Sequence, residues 1–122
     1  MRKTFRTLIA AAASLIALPV VAALADPQVV EVVTLKLKNG VSYADFAPID
    51  KAVETQHVSK QPGFISRESA AGQNGEWLVV IHWRSAKDAD ASMASFASAP
   101  AAKDFMANID ASTLAMKRYT QP

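Results

Sequence analysis

One segment, Glu76–Arg84, limits the possible folds of this chain more than any other. It is rich in β-branched and aromatic residues, which favour a strand. Apolar side chains occupy both of its alternating faces, with Trp77, Val79, Ile81 and Trp83 on one and Leu78 and Val80, followed by His82 and Arg84, on the other. A strand with one face in water alternates apolar and polar residues, so this segment is predicted to be a central strand covered on both sides.

Residues 1–25 have the pattern of a signal peptide. Arg2, Lys3 and Arg6 precede an apolar stretch, and small residues before Asp26 predict cleavage between Ala25 and Asp26. An uncleaved membrane anchor is disfavoured, because the apolar run of roughly 14–18 residues is shorter than the ~20 that span a bilayer. We therefore expect an exported, periplasmic protein that has no membrane segment after processing.

The charge of the predicted mature chain excludes some classes of partner. Without Arg2, Lys3 and Arg6, ten of the 13 Lys and Arg residues remain against eleven Asp and Glu, a net charge of −1. No basic stripe remains that would bind nucleic acid or an anionic membrane. The sequence has no cysteine, so disulfides cannot stabilise a domain that is small and marginal on its own.

The other elements follow from pattern and capping signals. Val29–Lys38 is apolar on both faces and is predicted to be a second central strand, while Phe64–Ala71 has the polar alternation of an edge strand. A helix is predicted from the Ser42 cap to about Val58, with Pro48 bending its first turns or marking its start. The Asn-Gly pair within Gly72–Gly75 predicts a hairpin. The remaining predictions are a helix capped by Ser85, a short helix over Ala101–Ile109 and a strand over Thr113–Thr120.

This order, βαββαβ, predicts an α+β, ferredoxin-like domain over residues 26–122 with a four-stranded antiparallel sheet. The first and third strands then lie at its centre. The helices cover one face, and a single chain has nothing left for the other. An open apolar face of several hundred Å² favours association, at ~25 cal/mol per Å² buried. We therefore predict a homodimer packed sheet against sheet.

Several segments resemble the dimeric α/β-barrel superfamily, in particular its antibiotic biosynthesis monooxygenase group. They are Val30–Val33 with Leu35–Gly40, Gln61–Phe64, Gly75–Trp77 through Trp83–Ser85, and Met116–Tyr119. The resemblance implies a dimeric α/β barrel and covers most of Val29–Thr120. Members include cofactor-independent oxygenases of aromatic polyketides, heme-degrading monooxygenases and proteins with no known reaction.

Heme degradation is disfavoured by comparison with that superfamily. Its heme-degrading members carry a histidine shortly before a Ser/Ala-Pro pair, and the corresponding residue before Ala99-Pro100 is Phe96. Their asparagine on the first strand also has no counterpart within Val29–Leu37. No cofactor is predicted.

Few residues in this sequence are suited to catalysis. The only histidines are His57 and His82, and nothing has the ligand spacing of a metal site. Glu31 interrupts the apolar first strand; we favour a charge near solvent at the strand end over a carboxylate aimed into a cavity. If the register allows, Glu31 and His82 on the two central strands would form an acid–base pair.

Two functions remain open. One is a non-catalytic binding protein for a small apolar or aromatic ligand; the other is a cofactor-independent monooxygenase of an aromatic substrate. The candidate ligand-binding residues are His57, Trp77, Trp83 and Tyr119. A continuous cavity between helices and sheet, lined by Trp83 and a histidine, would favour the enzyme, whereas a filled interior would favour the binding protein.

Overall fold

The computed structural model of the chain describes residues 26–122. The predicted signal peptide, Met1–Ala25, therefore lies outside the described residues. The strands are β1 (Val29–Leu37), β2 (Phe64–Ala71), β3 (Glu76–Trp83) and β4 (Ile109–Thr120). The helices are α1 (Tyr43–Gln56), a 3₁₀ turn (Val58–Lys60), α2 (Ala86–Phe96) and α3 (Pro100–Ala107). The predicted βαββαβ order is confirmed.

The four strands form one antiparallel sheet in the order β2-β3-β1-β4. The two strands predicted to be central lie at the centre, and the two predicted edge strands lie at the edges. In the β1–β3 pair, Glu31 lies opposite Ile81 and Val32 lies opposite Val80. Residues opposite one another point to the same face, so this register assigns every side chain of the sheet to one of two faces.

The helices pack on the face that carries the odd-numbered residues of β1 and β3, here called the helix-side face. Its buried members are Val29, Glu31, Leu35, Leu37, Trp77, Val79 and Trp83. The other face, here called the open face, is covered by no element within residues 26–122. It carries Val30, Val32, Leu78, Val80, His82 and Tyr119.

An aromatic cluster joins the helices to the helix-side face. Phe46 of α1 is fully buried, with its ring centroid 5.1 Å from that of Trp77 and 5.2 Å from that of Phe105 on α3. Buried aromatic pairs at such distances contribute about 0.5–1.5 kcal/mol beyond their area burial. This cluster fixes α1 and α3 to one end of the sheet.

Side-chain caps set the starts of the two longer helices, as predicted. Ser42 Oγ accepts a hydrogen bond from Asp45 N at 3.0 Å, and Ser85 Oγ accepts one from Asp88 N at 3.1 Å. Each bond satisfies a backbone donor that has no partner inside its helix. Pro48 lies inside α1 and does not mark its start.

The β2–β3 hairpin closes through the predicted Asn-Gly turn. Asn74 and Gly75 have φ of 54° and 81°, which is the combination that a tight two-residue turn requires. Tyr43 Oη accepts a bond from Gly75 N at 2.9 Å and donates one to Gly72 O at 3.1 Å. The start of α1 therefore holds the tip of the hairpin.

The boundary before β4 differs from the prediction. Ile109, expected to end the last helix, is the first residue of β4 and pairs with Leu37 of β1. The register shifts between Thr34 and Lys36, where Lys36 N donates to Thr113 Oγ1 at 2.8 Å. Pairing with β1, which a helical periodicity does not reveal, decides the conformation of this segment.

Candidate functional site

A cavity of about 800 Å³ lies between the helix-side face and the helices. Its floor draws on all four strands: Glu31, Val33, Arg67, Val79, Ile81, Leu114 and Met116. Its roof comes from the end of α1, the following turn, α2, the connection to α3 and α3 itself: Val53, Val58, Ser92, Met93, Phe96, Ala97, Ser98, Ala99, Pro100, Ala102, Lys103, Phe105 and Met106. The cavity exists because α2 buries only two small side chains, those of Ala89 and Ser92.

The lining is predominantly apolar, and exposed lining residues on α2, on β4 and in the connection between α2 and α3 mark its mouth. Met93 on α2 and Met116 on β4 are 47% and 38% exposed, and Leu114 beside them is 40% exposed. A concave apolar surface with a few polar groups is the usual composition of a small-molecule site. A volume of about 800 Å³ also lies within the ~300–1,000 Å³ of such sites.

Glu31 is one of the polar groups in the wall, and its expected position near solvent is wrong. It is 3% exposed. Its Oε1 accepts a bond from Trp83 Nε1 at 2.6 Å, and its Oε2 accepts one from Arg118 Nε at 2.9 Å. Arg118 also donates to Asp90 on α2. The carboxylate is buried because β1 is central and Arg118, from the neighbouring strand, compensates its charge.

Arg118 links the sheet to α2 at this end of the cavity. The hydrogen bond to Asp90 is the main cause that raises the pKa of Arg118; burial opposes it, and the Glu31 carboxylate adds to it. The side chain is 27% exposed, and of the three bridged residues only Glu31 lines the cavity. The bridge ties α2 to β4 where few apolar contacts do so.

A second ion pair lies at the β2 side of the cavity. The Arg67 side chain donates from Nη2 to Asp50 Oδ1 at 2.7 Å and from Nη1 to Asp50 Oδ2 at 3.0 Å. Ser69 Oγ donates to the same Oδ2 at 2.6 Å. The two charged side chains are 3% and 4% exposed. This bidentate pair joins α1 to β2, and Arg67 also lines the cavity.

The hypothesis of a Glu31–His82 acid–base pair is wrong. His82 lies opposite Val30 in the register, and Glu31 lies opposite Ile81. The two side chains therefore point to opposite faces of the sheet, His82 to the open face and Glu31 to the helix side. A register shifted by one residue would have placed both side chains on the same face. In the observed register, the sheet lies between them.

The structure places none of the four predicted ligand-binding residues in the lining of the large cavity. His57 is buried beside Ser95, whose Oγ lies 3.1 Å from His57 Nε2. Trp83 packs on Phe64 and bonds Glu31, Trp77 packs on Phe46 and lines a smaller pocket of about 310 Å³, and Tyr119 lies on the open face. With no ligand present, ligand contact by these residues stays a prediction. A cavity is present, but neither Trp83 nor a histidine lines it, so the interior matches neither the arrangement expected of the enzyme nor the filled interior expected of the binding protein.

Sequence reasoning missed Arg67, Asp50 and Arg118. Arg67 lies in a strand whose polar alternation is typical of an edge, and an arginine there is expected in solvent. Only the register of the folded hairpin, which pairs Arg67 with Ile81, places Arg67 on the helix-side face. A charged residue on a face covered by helices needs a partner, and only the packed structure identifies that partner as Asp50.

Two negative findings concern residues 26–122. In that part of the chain, no group of three His, Asp or Glu side chains is arranged to hold a metal ion. None of its helices is long and apolar enough to cross a membrane.

The sequence matches no protein-family model and no curated protein. Solved structures do match the fold. SnoaB, a cofactor-independent oxygenase from Streptomyces nogalater, is 15% identical with a TM-score of 0.65 over 79% of this chain and 94% of its own. A proposed antibiotic biosynthesis monooxygenase from Chloroflexus aurantiacus is 16% identical with a TM-score of 0.55 over 78% and 93%. A Nitrosomonas europaea protein of unknown function is 14% identical with a TM-score of 0.57 over 80% and 91%.

These likenesses establish the fold of the chain. They confirm the resemblance to the antibiotic biosynthesis monooxygenase group at the level of architecture, a ferredoxin-like protomer with a four-stranded sheet. The neighbours include oxygenases and proteins of unknown function, so the shared fold does not by itself assign a reaction.

Proposed function

We propose that this protein is an exported homodimer that binds a small apolar or aromatic molecule in the cavity between helices and sheet. The observation that carries the proposal is the cavity of about 800 Å³ with its apolar lining. A ligand that displaces water from apolar surface of this kind lowers the free energy by ~25 cal/mol per Å².

The state of the buried polar groups favours binding over acid–base chemistry. Both oxygens of Glu31 already accept hydrogen bonds, and both oxygens of Asp50 do so too. A general base needs a lone pair directed at the substrate proton. These carboxylates are instead engaged in holding Trp83, Arg118, Arg67 and Ser69.

Blocking the mouth of the cavity tests the proposal. Ala97 is exposed and lines the cavity, so Ala97→Trp adds an indole there without filling a packed core. We expect the neutral fluorophore N-phenyl-1-naphthylamine to bind the wild type and to bind this variant at least about tenfold more weakly, a loss of about 1.4 kcal/mol. Fluorescence titration of the mature protein measures both dissociation constants.

The matched control is Ala94→Trp. Ala94 is also exposed, lies one turn earlier on α2, and is outside the cavity lining. This variant should bind the fluorophore like the wild type. Equal weakening by the two substitutions, or no binding by the wild type, would contradict a ligand site in this cavity.

The alternative is a cofactor-independent monooxygenase of an aromatic substrate. The likeness to SnoaB, described as a cofactor-independent oxygenase, favours it. Oxygen consumption separates the two functions. A bound aromatic molecule that is recovered unchanged under air, with no oxygen uptake, supports the binding protein. Uptake of oxygen that stops in the Ala97→Trp variant supports the enzyme.

The homodimer is proposed from the open face. Val32 and Val80 lie directly opposite each other at its centre, and Tyr119 is 53% exposed near one end. No element within residues 26–122 covers this face, and apolar surface left in water favours association with a second copy. The face is built from the two central strands, so it is broad enough for sheet-on-sheet packing.

A single charge at the centre of this face should dissociate the dimer. Val32→Asp would bury an unpaired carboxylate between the copies, which costs about 2–5 kcal/mol. We expect light scattering at micromolar concentration to report a dimer for the wild type and a monomer for the variant. Ala94→Asp, on the helix side, should stay dimeric. A monomeric wild type would contradict the proposal.

Export is proposed from the n-region, apolar stretch and small-residue site of residues 1–25. The intact mass of the protein recovered from the producing cell tests it. A chain beginning at Asp26 is expected, and a full-length chain in the cytoplasm would contradict export.

A further inference from the structure

We propose that Arg67 is the polar anchor of the cavity and selects apolar ligands that carry an uncharged acceptor oxygen, such as a ketone, ester or amide. The donor is Arg67 Nε–H. This inference rests on the proposed binding function of the cavity. It goes further by naming the residue that orients the ligand and the chemical group that it recognises.

The geometry of the ion pair leaves one donor of Arg67 without a partner. Asp50 occupies both terminal nitrogens, at 2.7 and 3.0 Å. The remaining nitrogen, Nε, is buried and has no hydrogen-bond partner within residues 26–122. Arginine cannot lose its proton to escape this situation. The side chain is 3% exposed, so water does not satisfy the donor either.

A buried donor without a partner raises the free energy of the folded state, because it has lost its hydrogen bonds to water and gained none in return. The described part of the chain contains two such side-chain donors, Arg67 Nε and Trp77 Nε1. Of these, only Arg67 lines the large cavity. An acceptor oxygen on a bound ligand would recover this cost, whereas a wholly apolar ligand would not.

The charges around the cavity favour a neutral acceptor over a carboxylate. Asp50 already neutralises the guanidinium, so a ligand carboxylate would be the second one on a single cation. The Glu31 carboxylate also lies in the wall. The remaining cation of the lining is Lys103, which is exposed at the rim. A carboxylate bound inside would therefore lose hydration without gaining an unpaired partner.

Arg67 Nε is inaccessible in this structure, so a ligand reaches it only if a neighbouring side chain moves. Ile81 lies opposite Arg67 in the β2–β3 register, is half-buried and lines the cavity too. Binding therefore requires Ile81 to change rotamer and so expose Nε to the ligand. The ligand oxygen therefore binds at the β2 side of the floor, and its apolar body extends toward Met93 and Met116.

Three naphthalene probes of similar shape test this on the mature protein. They are 2-acetylnaphthalene with a ketone, 2-isopropenylnaphthalene with a CH₂ group in place of the oxygen, and 2-naphthoate with a carboxylate. Because hydrogen bonds to charged donors are among the stronger ones, we expect the ketone to bind at least about tenfold more tightly than the alkene. We expect 2-naphthoate to bind more weakly than the ketone.

A nuclear magnetic resonance measurement reads the donor directly, whatever the stability of any variant. The Arg67 Nε–H resonance should shift downfield on addition of the ketone and stay in place with the alkene. Arg67→Lys keeps the charge facing Asp50 but removes Nε, so the ratio of ketone affinity to alkene affinity should fall to about one. Ser69→Ala, which leaves Nε untouched, should keep the preference.

The outcomes separate this inference from the function on which it rests. Equal affinity for ketone and alkene, with no shift of the Arg67 resonance, overturns the anchor while the cavity remains a binding site. Tightest binding of 2-naphthoate also overturns it and assigns recognition to Lys103. If neither neutral probe binds, the proposed function fails and the anchor fails with it.

Discussion

Asp50→Ala is expected to lower the free energy of unfolding by about 3–5 kcal/mol, because it leaves the Arg67 guanidinium buried without a counter-charge. Both side chains are almost fully buried, at 3% and 4% exposure, so water cannot replace the lost carboxylate. The substitution also removes the acceptor of the Ser69 hydroxyl, at 2.6 Å. Urea unfolding followed by tryptophan fluorescence measures the change, at one fixed protein concentration because a dimer's stability depends on it.

Two comparisons identify the cause. The ion pair between Lys51 and Glu54 lies on the same helix, where Lys51 is 67% and Glu54 16% exposed, so solvent screens this pair from the lysine's side. Glu54→Ala should therefore cost no more than about 0.5 kcal/mol. The double variant Asp50→Leu/Arg67→Met, which removes both charges, should recover most of the loss. If Asp50→Ala cost no more than Glu54→Ala, the buried pair would not stabilise the fold.

Gly63→Ala should destabilise the protein by about 2–5 kcal/mol, since two separate costs add. The backbone of Gly63 has φ of +80°, which side chains other than glycine's rarely adopt. An added Cβ would also lie 2.1 Å from Asp88 Oδ2 and 2.6 Å from Asp88 Cβ. Asp88 cannot turn away freely, because Ser85 Oγ donates to its Oδ2 at 2.9 Å.

Gly40→Ala separates the two costs. Gly40 has a similar φ of +87°, and an added Cβ there meets nothing within 4 Å. It should lose only the conformational cost, about 1–2 kcal/mol. Thermal unfolding of the two variants gives the difference, which measures the contact with Asp88. Equal losses would show that Asp88 yields to the new methyl group.

The order of the strands is predictable because burial on both faces changes the amino-acid composition of a strand. A strand covered on both faces, as β3 is expected to be in the dimer, cannot place polar residues on alternate positions. The hairpin followed from Asn74-Gly75, and the helix starts followed from Ser42 and Ser85, since each of these signals acts within a few residues. The extension of β4 back to Ile109 was missed because it depends on pairing with Leu37, which is distant in the sequence.

The candidate site was harder to predict than the fold. The sequence pattern predicts a position near solvent for Glu31, because its partner Arg118 is 87 positions away in the chain. Arg67 lies in a segment that the sequence predicts to be an edge strand, and its pairing with Asp50 joins two elements that are separate in the sequence. The aromatic and histidine residues predicted to bind a ligand lie outside the lining of the large cavity, and Tyr119 lies on the open face.

Local chemistry in the sequence determined which segments form strands and helices, where the helices begin, and which two strands are central. Only the tertiary structure decided which charged residues share a face, which of them pair, and that a space remains beneath α2. The physical reason is the distance along the chain over which each kind of interaction acts. Periodicity, caps and turns act between residues a few positions apart, whereas a buried ion pair and a cavity depend on side chains that only the sheet register and the packing of helices bring together.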